Sequence, residues 1–203
     1  MKLLKRIKMK FSKPLKTESA LEQWEKAGRP LPPPHEIKQK VISDLQKTSG
    51  LQLFIETGTF MGDMVAAQRS NFKKIYSIEL GEQLFRDATE RFKDDKHIYI
   101  LQGDSSDVLP DILKEVAEPA VFWLDGHYSS GITALGKKEC PIYEELTAIF
   151  NARQFAHILL IDDARLFTGA NDYPTPGALF TFINKHRPAA FIEVKDDIIQ
   201  VYI

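Results

Sequence analysis

The sequence predicts one α/β domain, in which helices cover both faces of a mostly parallel sheet that ends in an antiparallel strand. Short apolar runs alternate with amphipathic segments from Gly50 onward, which is typical of strands joined by crossover helices. The runs are nearly continuous in apolar residues, as expected of strands that helices bury on both faces. Two strand-like segments separated by two residues close the chain, and this pattern predicts a β-hairpin.

The predicted strands and helices alternate along the chain, so the crossovers are expected to be right-handed. Parallel strands are predicted at LQLFIE (51–56), KIYSIE (74–79), HIYILQ (97–102), AVFWLD (120–125) and HILLID (157–162). Helices are predicted at 63–70, 81–93, 106–117, 140–152 and 176–187. The hairpin is predicted from FIEVK (191–195) and IIQVYI (198–203), with Asp196 and Asp197 in the turn.

Composition excludes several classes of protein. The chain has 203 residues, 43% hydrophobic and 27% charged, as in a globular domain. No stretch approaches the ~20 apolar residues of a membrane span. The single Cys140 excludes an intramolecular disulfide and a cysteine-rich zinc site and, without a signal peptide, predicts a cytoplasmic location. The net charge of −1 predicts no nucleic-acid partner.

Residues 1–48 are predicted to form a leader ahead of a catalytic domain at 49–203. Residues 1–16 contain seven Lys or Arg and no acid, with apolar residues at near-helical spacing. This segment is either a leader that is solvated or docked on the domain, or a contact for a membrane surface or an acidic partner. A stiff proline-rich stretch at 29–34 and a helix at 34–48 follow.

Acidic residues end, or directly follow, all five predicted parallel strands. In open parallel sheets ligands bind beyond the carboxyl ends of the strands, so this acidic edge is the expected site. Any one of these carboxylates could instead cap the following helix. The residues are Glu56, Glu79, Asp104, Asp125 and the pair Asp162-Asp163.

The first strand leads into a loop, E-T-G-T-F-M-G-D (56–63), that opens a helix. Glycine lets the backbone turn sharply and approach a ligand closely. The dinucleotide fingerprint needs glycine where Phe60 and Asp63 stand, so a nicotinamide cofactor is disfavoured. Glu79 could accept both hydroxyls of a ribose, or cap the helix that begins near Gly81. The loop at Asp104-Ser105 could bind adenine, or Asp104 could cap a helix.

From about residue 50 to residue 203 the chain resembles class I S-adenosylmethionine (SAM)-dependent methyltransferases. The resemblance rests on E-T-G-T-F-M-G, Glu79, Gly103-Asp104-Ser105 and the terminal hairpin. It implies a Rossmann-like, seven-stranded α/β/α sandwich and methyl transfer from bound SAM. Many members have glycine where Phe60 stands. The implied cofactor contacts are Glu56, Gly58, Thr59, Phe60, Gly62, Glu79, Asp104, Ser105 and Asp125.

A narrower resemblance links VFWLDGH (121–127) and LLIDDAR (159–165) to metal-dependent O-methyltransferases of the catechol and macrolide-sugar types. It implies a Mg²⁺ ion held by Asp125, Asp162 and Asp163, whose oxygen ligands suit this cation. Alternatively, Asp162-Asp163 only structures its loop. The catechol-type lysine is replaced by Tyr128, so His127 becomes the candidate base, with a structural role as the alternative. Asp125 and His127 are thus the predicted catalytic residues.

The leading hypothesis is therefore a SAM-dependent methyltransferase that acts on oxygen of a hydroxylated small molecule or sugar. Loops 127–141 and 165–174 are expected to form the acceptor pocket, because long loops at the ligand edge tend to bind substrate. The alternative is a non-methylating protein of the same fold that binds SAM or a nucleotide. Neither the acceptor nor the oligomeric state follows from the sequence.

Overall fold

The computed structural model describes residues 19–127 and 136–203, and it contains a seven-stranded sheet. The strands are β1 Leu53–Thr57, β2 Lys74–Glu79, β3 Ile98–Gln102, β4 Ala120–Leu124, β5 Ile158–Ile161, β6 Phe191–Lys195 and β7 Ile198–Tyr202. Their order in the sheet is β3-β2-β1-β4-β5-β7-β6, parallel except for the pairs that include β7. The predicted Rossmann-like fold with an antiparallel hairpin is confirmed.

Seven α-helices connect or precede these strands within the described ranges, and a short 3₁₀ helix follows β5 at Ala164–Leu166. Most lie within a few residues of their predicted positions. The sixth helix starts two residues later than predicted because Pro141 is its N-cap. The helices are α1 Ala20–Lys26, α2 His35–Ser49, α3 Asp63–Gln68, α4 Glu82–Arg91, α5 Ser105–Glu115, α6 Ile142–Asn151 and α7 Pro176–His186.

Both faces of β1, β2, β4 and β5 are buried, as their continuous apolar runs predict, and so are both faces of β7. The edge strand β3, which was also predicted to be buried, is partly exposed, as is β6 at the other edge, because no further strand covers them. Leu53 and Ile55 of β1 pack on one face in a core cluster that includes residues of α5, α6 and α7. Phe54 points to the other face and packs with Ile42 of α2 and Met64 of α3. The helix at His35–Ser49 therefore shares a core with the sheet. Residues 1–16, the basic leader, lie outside the described residues.

The hairpin turn depends on two aspartates in the left-handed region. Asp196 has a φ of 51° and Asp197 a φ of 64°, which matches the positive φ that a type I′ hairpin turn requires at both central positions. Asp tolerates this conformation better than most residues. The turn directs β7 back between β5 and β6.

The chain order reverses between β1 and β4, which lie side by side in the middle of the sheet. Strands β1 to β3 extend to one side of this point, and β4 begins the other side. Such a switch point leaves a crevice at the carboxyl ends of the strands where ligands bind. None of the helices in the described ranges combines the length and apolarity that a membrane span requires.

Candidate functional site

A cleft of about 430 Å³ opens at this switch point. It is lined from the ends of β1 to β5 and from α2, and it brings together all but one of the predicted site residues. Those on the cleft are Glu56, Gly58, Thr59, Phe60, Glu79, Asp104, Ser105, Asp125, His127, Asp162 and Asp163. Gly62 is the exception: it is the N-cap of α3, with a φ of 80°, and it lies against the Phe92 ring.

The loop after β1 packs tightly against the end of β4. A Cβ atom on Gly58 would lie 2.4 Å from the carbonyl oxygen of Asp125, and Gly58 has a φ of +84°. No other residue combines this φ with this close approach at low cost. Phe60 has a φ of 49° and is 45% exposed. The glycine found here in the resembling family would adopt that φ without strain.

Glu79 organises the same loop from β2. Its Oε2 accepts a hydrogen bond from the Phe60 N–H at 2.7 Å, and its Oε1 accepts one from the Gly81 N–H at 2.8 Å. Burial raises the pKa of Glu79 against the opposing effect of these bonds. Glu79 thus contacts the N–H of Gly81, which is the N-cap residue of α4, but α4 has no side-chain cap, so the alternative role of Glu79 as a helix cap is wrong. Each carboxylate oxygen has a second lone pair, so Glu79 can also accept a diol from the cleft, and its ribose contact stays a prediction.

Asp104, in contrast, is the N-cap of α5. Its Oδ1 accepts from the Ser106 N–H at 3.0 Å and from Ser106 Oγ at 2.7 Å, and its Oδ2 accepts from the Lys137 N–H at 3.1 Å. Burial alone would raise the pKa of Asp104, but the bonds from Ser106 and Lys137 outweigh it and the pKa is lowered. Asp104 is therefore an ionised acceptor on the cleft wall, and its adenine contact stays a prediction.

Glu56 lies deeper, beneath the first loop. It is 1% exposed, and its Oε2 accepts a hydrogen bond from the Ser77 hydroxyl. Ser77 Oγ also lies 2.6 Å from Thr59 Oγ1. Burial raises the pKa of Glu56 well above its ordinary value, and the Ser77 bond only partly offsets it. This chain of polar groups ties the first loop to β2.

The acidic end of the cleft contains a lysine that the sequence analysis missed. Nζ of Lys38, on α2, lies 2.6 Å from Asp162 Oδ2 and 2.9 Å from Asp163 Oδ1. Burial lowers the pKa of Lys38, but the two carboxylates outweigh it, so the pKa is raised and the amine stays charged. A signal was present: Lys38 lies next to the buried Ile37 and one turn before Ile42, so a lysine faces inward on this helix.

His127 bridges two of the carboxylates. Its Nδ1 lies 3.1 Å from Asp125 Oδ1, and its Nε2 lies 3.3 Å from Asp163 Oδ2. Burial lowers the pKa of His127, but the Asp163 and Asp125 contacts outweigh it and the pKa is raised. A ring with an acceptor at each nitrogen is stabilised as the protonated imidazolium. This geometry disfavours the predicted role of His127 as a base and favours a role as a hydrogen-bond donor.

The predicted Mg²⁺ site does not fit this arrangement. The Lys38 ammonium lies where two of the three carboxylates converge, and Asp163 Oδ1 also accepts a hydrogen bond from Arg165 at 2.7 Å. Across residues 19–127 and 136–203, no group of three or more histidine, cysteine or acidic side chains is placed to hold a metal ion. The mutual repulsion of the carboxylates is relieved by side-chain cations of this chain.

Glu145 is a second buried group that the sequence analysis missed. It is 2% exposed on α6, and a Cβ atom on Gly126 would lie 2.9 Å from its Oε1. Burial raises the pKa of Glu145 to about 7. The helical spacing of Ile142, Leu146 and Ile149 places Glu145 on the apolar face of α6. The burial of Glu145 could therefore have been predicted from the periodicity of the sequence.

The two predicted acceptor loops differ in position. Gly136, Lys138 and Pro141 of the first loop line the cleft, whereas Tyr128 and the rest of 128–135 lie outside the described residues. None of residues 165–174 lines it. Phe167 and Tyr173 instead contribute to a separate cavity of about 10 Å³ that His127 also lines, so the described part of the second loop supports His127 from behind.

Comparison with known proteins relates the chain to methyltransferases through its structure. No protein-family model matches the sequence, and no curated protein matches it significantly. Solved structures do match. The O-methyltransferase TomG of Streptomyces achromogenes, in complex with SAM, has a TM-score of 0.58 at 15% identity over 94% of this chain and 91% of its own. The SAH-bound methyltransferase PaMTH1 of Podospora anserina has a TM-score of 0.60 at 16% identity over 91% and 88%.

A third match is the O-methyltransferase of Bacillus cereus in complex with SAH, with a TM-score of 0.55 at 15% identity over 94% of this chain and 93% of its own. All three comparisons cover more than nine-tenths of this chain. At such low identity the likeness is one of architecture. This chain has the Rossmann-like fold of SAM-dependent methyltransferases.

Proposed function

We propose that this chain is a SAM-dependent methyltransferase that acts on an oxygen of a hydroxylated small molecule or sugar. The observation that carries the proposal is the cleft at the switch point, where Glu79 and Asp104 at successive strand ends flank a loop without the dinucleotide glycines. The likeness to SAM- and SAH-bound structures supports this choice of cofactor. A cytoplasmic location belongs to the same proposal, since Cys140 is a free, buried thiol.

The cofactor would extend along the carboxyl edge of the sheet. Glu79 would accept the two ribose hydroxyls through its remaining lone pairs, and Asp104 with Ser105 would bind the adenine. The loop around Gly58 and Thr59 would lie against the methionine end, with Glu56 beneath it. This placement directs the reactive methyl group towards the acidic end of the cleft, where Asp125 and His127 lie.

When bound, SAM supplies an electrophilic methyl group on a sulfonium. The residues of this chain have two tasks: to hold the acceptor oxygen in line with that methyl group and to accommodate the proton that the acceptor loses. His127, held between Asp125 and Asp163, donates a hydrogen bond while protonated. It becomes a base only once it has lost that proton, so its predicted catalytic role requires a pH above its raised pKa.

Calorimetric titration with SAM, SAH and NAD tests the choice of cofactor. The wild type should bind SAM and SAH and not NAD. Glu79→Gln should weaken SAM binding about tenfold or more, because a charge-assisted hydrogen bond contributes roughly 1.5–3 kcal/mol. Glu82→Gln is the matched control, since Glu82 is an exposed residue in the first turn of α4 that pairs with Arg86; its affinity should not change.

The results of these titrations and of a methyl-transfer assay distinguish a methyltransferase from a non-methylating binding protein. A wild type that binds no SAM would overturn the proposed function. Undiminished affinity in Glu79→Gln would leave Glu79 with only its structural contacts to the Phe60 and Gly81 N–H groups. SAM binding without methyl transfer to any of a panel of hydroxylated acceptors would favour the alternative, a non-methylating binding protein of this fold.

A further inference from the structure

We propose that the ammonium group of Lys38 is the resident cation at the acidic end of the cleft, in the place where the resemblance to metal-dependent O-methyltransferases implies magnesium, and that this end works without a divalent cation. The binding part of this proposal concerns Lys38 and the aspartates alone. Its consequence for methyl transfer rests on the proposed function.

The Lys38 ammonium occupies the position that a Mg²⁺ ion would need. Lys38 Nζ lies 2.6 Å from Asp162 Oδ2 and 2.9 Å from Asp163 Oδ1, and the three side chains are only 10%, 3% and 12% exposed. A Mg²⁺ ion bound by these oxygens would need them at about 2.0–2.1 Å. The two cations compete for the same pair of oxygens, so the lysine must leave before the ion can enter.

The aspartates also have other hydrogen-bond donors of this chain as partners. Asp162 Oδ1 accepts a hydrogen bond from the Asp163 N–H at 2.7 Å. Asp163 Oδ2 faces His127 Nε2 at 3.3 Å, and Asp163 Oδ1 also accepts from Arg165. Asp125 Oδ1 faces His127 Nδ1 at 3.1 Å. Every described contact of these carboxylates thus comes from a hydrogen-bond donor of this chain, and metal binding would have to displace several of them.

The packing of α2 holds Lys38 in place. Its helix is anchored by Ile37 and Ile42, which are 7% and 0% exposed. The lysine stem is buried with them. Withdrawing the ammonium would leave Asp162 without its cationic partner among the described residues and would leave Asp163 with only Arg165 and His127. The lysine is therefore a fixed part of the fold.

Lys38 also lines the cleft. An ammonium group has three N–H donors, and two of them point to Asp162 and Asp163. The third N–H of Lys38 has no hydrogen-bond acceptor among the described residues. It can therefore donate a hydrogen bond to an oxygen of the substrate that enters this end of the cleft. Lys38 would then both neutralise the acidic pair and position the substrate oxygen.

Titration with Mn²⁺, followed by the loss of its free-ion electron paramagnetic resonance signal, tests the binding part. The wild type should show no tight Mn²⁺ site. Lys38→Ala should bind Mn²⁺ about tenfold or more tightly than the wild type, because two carboxylate oxygens become free. Adding Asp162→Asn to Lys38→Ala should reverse this gain. Lys40→Ala, which removes an exposed lysine two residues along α2, should match the wild type.

Two results would overturn the proposal. One is a wild type that binds Mn²⁺ tightly and loses it in Asp162→Asn; the other is a folded Lys38→Ala that gains no affinity. Lys38→Met keeps most of the apolar stem and is the second variant if Lys38→Ala fails to fold, and the wild-type titration decides if neither folds. SAM calorimetry on the wild type reports on the proposed function independently, since a failure to bind SAM leaves the Mn²⁺ result standing.

Discussion

Replacing Glu145 by glutamine should make the protein more stable above neutral pH. Glu145 is buried on α6 behind Gly126, 2% exposed, and no hydrogen-bond partner of its Oε1 is present in the described residues. Burial raises its pKa from 4.5 to about 7, against weaker opposing effects from Ser105 and Thr57. The folded state therefore disfavours the charged form that glutamine cannot adopt.

The magnitude follows from that pKa. A rise from 4.5 to about 7 corresponds to about 3 kcal/mol of free energy of unfolding. Because the pKa of the folded state is the higher one, this contribution is fully present below pH ~4.5 and is lost as the pH rises through about 7. Glu145→Gln does not titrate, so it should gain about 3 kcal/mol over the wild type between pH 5 and pH 8, or about 6–12 °C in melting temperature.

Circular dichroism melts of the wild type and Glu145→Gln at intervals from pH 5 to pH 8 measure this difference. Glu118→Gln is the control, because Glu118 is exposed and its substitution should leave the pH dependence unchanged. A gap in melting temperature between the wild type and Glu145→Gln that is the same at pH 5 and pH 8 would refute the reasoning. It would mean that Glu145 is solvated or partnered well enough to ionise freely.

Two further predictions concern a glycine and a histidine. Gly58→Ala should abolish calorimetric SAM binding and lower the melting temperature, because the new Cβ would lie 2.4 Å from the Asp125 carbonyl oxygen. Gly28→Ala is the control: Gly28 has a similar φ but no atom within 4 Å of the added Cβ, so its melting temperature should fall only by the cost of the φ angle. Equal losses of melting temperature in both variants would contradict the close approach at Gly58. His157 is buried, accepts the Ala120 N–H, and has its pKa lowered to about 4 by burial and by Arg187. The contribution of neutral His157 to the free energy of unfolding is complete above pH ~6.5 and is lost as the pH falls through about 4. His157→Asn should therefore reduce the loss of stability at acid pH by about 3 kcal/mol. An unchanged loss of stability at acid pH in this variant would contradict the prediction.

The sequence by itself determined the order of the elements and the edge of the sheet that forms the cleft. Strands such as AVFWL at β4 are apolar in every position because both faces are covered. Asp196-Asp197 between two β-prone runs was enough to predict the hairpin. Since the carboxyl ends of parallel strands share one edge, Glu79, Asp104 and Asp125 could be placed on a common cleft from their positions alone.

Only the tertiary structure decided which partners those acidic residues have. Lys38 is 124 residues from Asp162 along the chain, and nothing in local spacing shows that α2 carries it to the end of β5. The same holds for His127, whose ring nitrogens face carboxylates from two different strand ends. Strand periodicity reports which face a side chain takes, but charge balance in a cleft depends on the packing of segments distant in sequence. The resemblance to metal-dependent O-methyltransferases implied a magnesium ion among the aspartates, whereas the fold places a lysine there.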